Sequence, residues 1–221
     1  MTRVVLSRAD YLDRWSALHG GYDPRSSRVV GPWLSAVYAL ARPLARAGVA
    51  PDAVTLLGLV LAGGVVVASA AGGRWVLLAS LVTLVSGLLD SLDGAVAVLT
   101  GRATRWGAVL DSVVDRASDA LLLLALWVVG APAWACVAAG VLVLTQEYAR
   151  ARATAVGLDD IGVVTVGERP TRVLVVAAFL LGAGLYDGSA AWWASLGARV
   201  SLAVGAVALV QLLVVVRRRL R

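Results

Sequence analysis

The sequence predicts an all-α integral membrane protein: about six transmembrane helices, preceded by an N-terminal amphipathic helix lying in the membrane interface. Three observations lead there. Hydrophobic residues make up 60% of the 221-residue chain and charged residues 15%, with a mean hydropathy of +0.84; soluble domains hold about 45–50% apolar residues. The excess falls in runs close to the ~20 residues that a ~30 Å hydrocarbon core requires. Between the runs, arginine-rich loops alternate with short, nearly uncharged ones.

The runs are, in order, Ala53–Ala71, Trp75–Leu99, Gly107–Val129, Ala133–Ala153, Arg172–Tyr186 and Trp192–Val216. The fifth is short unless its helix begins near Pro170. "TGRATRW", "RARATAVGLDDIGVVTVGERPTR", the tail "RRRLR" and the N-terminal segment carry most of the arginines. The positive-inside rule therefore puts both termini and the two arginine-rich loops on the cytoplasmic side of the cell membrane. Trp75, Trp127, Trp134, Trp192 and Trp193 fall at the opposite ends, as an outer aromatic belt would. Ahead of the first run, "GPWLSAVYALARPLARAG" alternates apolar and basic positions at helical spacing, with Arg42 and Arg46 on one face. This reads as the interfacial helix. The expected division is a cytoplasmic segment with that helix, residues 1–50, and a six-helix transmembrane domain, residues 51–221. "MTRVVLSRADYLDRW" has no signal-peptide pattern, and "HGGYDPRSS" reads as turns.

Composition also excludes chemistry. A single cysteine, Cys136, and a single histidine, His19, leave no disulfide framework, no histidine relay and no zinc site of ordinary ligands. Cys136 reads as a core residue and His19 as a loop residue. The basic side chains are all arginine, and the formal charge is +6. That suits anionic lipid or phosphate groups, and no nucleic-acid partner is expected.

Four aspartates break the apolar pattern. Asp90 and Asp93 are three residues apart, and Asp111 and Asp115 four, so each pair shares one helix face. In a helical hairpin the four carboxylates meet at one depth, near the cytoplasmic end. Bare carboxylates that close repel strongly, and a divalent cation removes the conflict. Hard oxygen ligands suit Mg²⁺, Mn²⁺ or Ca²⁺. Four can serve two ions, which at a spacing of ~3.5–4 Å can clamp both sides of a phosphoryl displacement. Gly94, Ala95, Ala97, Gly101, Ala103, Gly107 and Ala108 cluster around them, either for close helix packing or to leave room for a ligand. The structural alternative is ion pairing with Arg102, Arg105 and Arg116. Ionisable groups inside spans are functional by default.

These residues resemble the signature of the CDP-alcohol phosphatidyltransferase family, D-x₂-D-G-x₂-A-R-x₈-G-x₃-D-x₃-D. The chain reads Asp90-x₂-Asp93-Gly94-x₂-Ala97-Val98-x₈-Gly107-x₃-Asp111-x₃-Asp115. It departs only at Val98, where the family carries arginine; Arg102 or Arg105 could substitute from the following turns. "APDAVTLLG" resembles the family's P-[ND]-x-x-T element. The resemblance implies transfer of a phosphatidyl group from CDP-diacylglycerol to a polar alcohol, with release of CMP, in phospholipid biosynthesis. It implies two divalent cations, Mg²⁺ or Mn²⁺, on Asp90, Asp93, Asp111 and Asp115, with Asp115 also the catalytic base. Asp52, Thr55, Gly94, Ala97, Arg102, Thr104 and Gly107 would bind the nucleotide. A homodimer surrounded by membrane lipids is expected on the same ground.

"EYARARATAVGL…GERPTR" is similar to a segment of the phosphatidylinositol-phosphate synthase branch of that family. The similarity implies that Arg150, Arg172 and Arg199 bind the phosphate of a phosphorylated acceptor. Inositol phosphate is the first choice and glycerol 3-phosphate the second. Asp119 and Glu147 read as supporting partners, and Asp159, Asp160 and Glu168 as solvated loop charges. A cation transporter using the aspartates is the reading from a different class, and a scaffold without chemistry is a third.

Overall fold

Glycine and proline punctuate the chain into helices joined by short turns. The computed structural model describes residues 6–18, 20–158 and 164–221. His19, Asp159 and Asp160 lie outside them. Among the described residues there are eight α-helices: α1 (Arg8–Leu18), α2 (Val30–Ala47), α3 (Pro51–Ala71), α4 (Trp75–Thr100), α5 (Arg105–Val129), α6 (Ala133–Ala155), α7 (Arg169–Leu185) and α8 (Ala190–Arg219).

Residues 1–58 with 88–115 form one compact unit, and residues 59–87 with 116–221 another. In the first, Ser7 accepts the Asp10 N–H (3.2 Å) and returns its hydroxyl to the Asp10 carboxylate (2.6 Å), a capping box that starts α1. Tyr11 and Leu12 of α1 pack with Leu34, Val37, Ala41 and Ala45 of α2 and with Val54, Leu92, Val96 and Leu99. Arg25 ties the intervening turn to α1 by an ion pair with Asp13 (2.7 Å) and a hydrogen bond to the Ala9 carbonyl (3.2 Å). Gly48 (φ 77) closes α2, and Gly101 (φ 65) closes α4, left-handed conformations that glycine adopts at no steric cost.

The second unit is built on small residues. Ala79, Ala125, Ala135, Ala139, Ala183, Ala194 and Ala198 are buried in its core with Leu126 and Leu180. Such side chains let helices approach closely. A Cβ on Gly197 would lie 2.7 Å from the Phe179 side chain, closer than real contacts allow. The buried Ser80 hydroxyl donates to the Ala177 carbonyl at 2.8 Å, so that polar group is satisfied.

Among the described residues, three helices are long and apolar enough to cross a membrane: α3, α4 and, with the turn before it, α8, with mean hydropathy over 18 residues of 2.3, 1.8 and 2.3. The other three expected spans are helices, but each differs from an uninterrupted apolar run. Arg105, Asp111, Asp115, Arg116 and Asp119 break up α5. α6 ends on Glu147, Arg150 and Arg152. α7 has 17 residues, beginning at Arg169 with Pro170 in its first turn rather than at Arg172. The helix α1 was not expected. Its signal was local, the Ser7-x-x-Asp10 box ahead of Tyr11 and Leu12.

Candidate active site

The carboxylates of Asp90 on α4 and of Asp111 and Asp115 on α5 converge. One oxygen from each lies within 4.8 Å of the others, and all three side chains are partly buried. Helical spacing explains why Asp111 and Asp115 point the same way. Three like charges in a partly desolvated place are costly without a counter-charge. The set is all hard oxygen, and its spread is close to the ~4.2 Å between ligands on opposite sides of a Mg²⁺ ion held at ~2.1 Å. These donors fit Mg²⁺ or Mn²⁺ far better than a softer metal.

Asp93 is held by hydrogen bonds on both of its oxygens. It is 5% exposed and accepts the Thr55 hydroxyl at 2.6 Å on one oxygen and the Gly94 N–H at 2.6 Å on the other. It is not among the three converging oxygens, although it lines the same cavity as Asp90 and Asp111.

That cavity, of about 470 Å³, lies wholly within the first unit. Every residue expected to touch a nucleotide lines it: Asp52, Thr55, Gly94, Ala97, Arg102, Thr104 and Gly107. Thr104 also caps α5, its hydroxyl accepting the Gly107 N–H at 2.9 Å. A Cβ on Gly107 would stand 3.1 Å from that hydroxyl and 3.6 Å from the Asp52 carboxylate, so only glycine leaves this corner open. Val98 is 8% exposed, packed in the core of this unit, and its side chain reaches the cavity lining without supplying a charge. Of the two arginines that could replace the missing motif arginine, Arg102 lines the cavity and Arg105 does not.

The cavity is also lined by an aromatic and apolar wall from α1, a helix the sequence did not predict, and from α2, expected only as an interfacial helix. Tyr11, Trp15 and Leu18 of α1 and Val30, Trp33 and Leu34 of α2 line it. Tyr11 is almost fully buried, and burial pushes its hydroxyl up to about 12, so it stays neutral.

The second unit holds the arginines expected to bind the acceptor. Arg172 pairs with Asp119 (3.1 Å) and donates to the Gly167 carbonyl. Arg150 pairs with Glu168 (2.8 Å) and approaches Glu147 at 4.0 Å. Arg116 joins the two halves, 3.4 Å from Asp119 and 3.0 Å from Glu147. Asp119 and Glu147 are thus structural partners. Glu168 is not a solvated loop charge. It accepts the Thr165 N–H and hydroxyl, both at 2.9 Å, as well as the Arg150 guanidinium. Burial pushes the Glu168 carboxyl up, but the Thr165 N–H, the Arg150 charge and the Thr165 hydroxyl outweigh it and hold it below its ordinary value. Arg172, Asp119, Gln146 and Ser201 line a small cavity of about 20 Å³. Arg150 is absent from that lining, and Arg199 stands exposed on α8, so the three arginines are not gathered around this cavity.

Known proteins resemble this chain in sequence and in fold. The phosphatidylinositol phosphate synthase of Streptomyces avermitilis is 37% identical over 157 residues, 65% of this chain and 61% of that protein. The chain therefore spans less than two thirds of that relative's length. The one from Cutibacterium acnes is 33% identical over 205 residues, 84% of this chain and 94% of the relative. The fold is similar to that of the Mycobacterium tuberculosis phosphatidylinositol phosphate synthase solved with CDP-DAG bound, with TM-score 0.64 at 31% identity, covering 81% of this chain and 92% of that one. The same enzyme in complex with manganese and citrate matches with TM-score 0.65 at 29% identity, covering 81% and 88%. The CDP-alcohol phosphatidyltransferase family model matches residues 48–216, a stretch that contains every aspartate of the cluster, and the chain belongs to that family.

Proposed function

We propose that this chain transfers the phosphatidyl group of CDP-diacylglycerol to inositol phosphate and releases CMP. The observation that carries the reading is the convergence of Asp90, Asp111 and Asp115 beside a cavity of nucleotide size. The relatives' names and the CDP-DAG-bound neighbour support the donor and acceptor.

In this reading Asp90, Asp93, Asp111 and Asp115 would hold two divalent cations, Mg²⁺ or Mn²⁺; the manganese-bound neighbour supports the metal class. When bound, such ions neutralise the diphosphate and stabilise developing charge. The acceptor hydroxyl oxygen bonds to the phosphatidyl phosphorus. The bond from that phosphorus to the oxygen bridging to CMP breaks, and CMP leaves with the electron pair. Asp115 takes the hydroxyl proton. Arg102, the cation that lines the cavity, steadies the diphosphate oxygens. Thr104 and Gly107 offer the nucleotide a wall with little side-chain bulk.

Arg150, Arg172 and Arg199 are the proposed acceptor-phosphate ligands. Arg150 and Arg172 already face carboxylates, so a phosphate would have to exchange for Glu168 or Asp119. Glycerol 3-phosphate carries the same phosphate and is the alternative acceptor.

The membrane reading is six spans with α2 in the interface, the carboxylates facing the cytoplasm, and a homodimer in the cell membrane. Trp75, Trp127, Trp134 and Trp192 are each more than half exposed, which supports a lipid-facing aromatic belt. The test is purified protein with CDP-diacylglycerol, Mg²⁺ or Mn²⁺ and a panel of alcohols, with CMP release as readout. Release above that of Asp111→Asn with inositol phosphate is expected. Activity with glycerol 3-phosphate alone would overturn the acceptor, and no release with any alcohol would overturn the reaction.

A further inference from the structure

We propose that Trp15 is a donor-binding residue whose indole stacks on the pyrimidine base of the CDP-linked lipid. The inference rests on the proposed function and adds a residue outside the family signature. In the cavity, the carboxylates and Arg102 answer the needs of a diphosphate. The remaining part of a nucleotide is a flat base, which is held best by a flat apolar face shielded from water. α1 and α2 supply that face.

Among the three aromatic groups of the wall, burial selects one. Tyr11 is committed to the core, 1% exposed, with its ring 5.6 Å from that of Tyr38. Trp33 is 48% exposed, so about half of its surface lies outside the cavity. Trp15 is partly buried, packs against the core of this unit, meets Tyr22 edge-on at 6.4 Å and still lines the cavity. Its helix is anchored over its first half: the Ser7–Asp10 pair starts it, and Arg25 clamps it through Asp13 and the Ala9 carbonyl. A ring held in place before binding loses little entropy when a base arrives.

The chemistry of α1 decides between the base and the acyl chains as the wall's occupant. Its sequence RADYLDRWSAL carries Arg8, Asp10, Asp13 and Arg14, four charges in eleven residues. Such a helix faces water, whereas acyl chains must remain in the hydrocarbon.

The experiment uses the full chain in detergent and measures CMP affinity by calorimetry and the KM for CDP-diacylglycerol. Trp15→Leu keeps an apolar side chain to pack α1 but removes the aromatic face. CMP Kd and donor KM are expected to rise together, by about 5- to 150-fold, the range for one base–aromatic stack. kcat is expected to stay within about 3-fold, and Trp15→Phe to restore binding to within about 5-fold. A Trp15→Leu variant that binds CMP as tightly as the wild type overturns the proposal. So does a rise in donor KM without a change in CMP affinity, because the wall then holds the lipid part. If the wild type itself neither binds CMP nor releases it from the donor, the proposed function fails first. If the wild type does both and only the Leu variant is silent in its effect, the Trp15 assignment alone falls.

Discussion

Replacing Thr55 by valine tests whether Thr55 supports Asp93 or meets the nucleotide itself. The two side chains are of equal volume, so the change deletes one hydroxyl and leaves the packing. In the structure that hydroxyl stands 2.6 Å from the Asp93 carboxylate and 3.2 Å from the Pro51 carbonyl. It has one proton to give, and the shorter contact, in the range of O–H···O⁻ bonds, takes it. Thr55 is 7% exposed and Asp93 5%, so deleting the hydroxyl leaves a largely buried carboxylate one hydrogen bond short. A buried carboxylate deprived of a hydrogen bond costs about 1.5–3 kcal/mol. For a chain of this size that is a drop of roughly 3–12 °C in thermal midpoint, read by thermal unfolding in detergent. In a double-mutant cycle with Asp93→Asn, the coupling should be at least ~1 kcal/mol. CMP affinity should fall far less than stability. If Thr55→Val melts within about 1 °C of the wild type while CMP binding weakens about 10-fold, the hydroxyl belongs to the nucleotide and the argument from the Asp93 bond is wrong.

Asp111→Asn should lower CMP release at least ~100-fold, as expected when a charge-stabilising group is removed from a reacting phosphoryl centre; chelation of divalent ions should do the same to the wild type and be reversed by Mn²⁺. Arg102→Ala should raise the donor KM about 10-fold, the low end for a charged hydrogen bond because Arg102 is exposed, and should leave inositol phosphate KM unchanged in steady-state assays. Glu168 is held below its ordinary value near 4.5, so its contribution to stability is full above that pH and fades as pH falls through and below it. Melting curves from pH 7 to 3.5 should therefore show wild type above Glu168→Gln at neutral pH and the two converging in acid. A constant gap across that range would refute the Arg150–Glu168–Thr165 arrangement as its source.

How far the site was legible depends on the range of the interaction. Asp111 and Asp115 converge because four residues make about one helical turn, a local rule. Asp90 joins them through the hairpin that the "TGRATRW" turn enforces. Asp93 carries the same signal in sequence, yet its partner Thr55 is 38 residues away, and that contact takes it out of the converging oxygens. Glu168 looked like a solvated charge because its partner Arg150 lies 18 residues away, and the two meet only in the folded chain.

The sequence by itself determined the all-helical class, the pairing of carboxylates on one helix face and the family, because hydropathy and helical spacing are properties of neighbouring residues. Only the tertiary structure decided which arginine reaches the cavity beside the carboxylates, which arginines are already paired with acids, and that α1 furnishes aromatic lining. Those outcomes depend on which distant side chains burial brings within hydrogen-bond reach, and no local period encodes that.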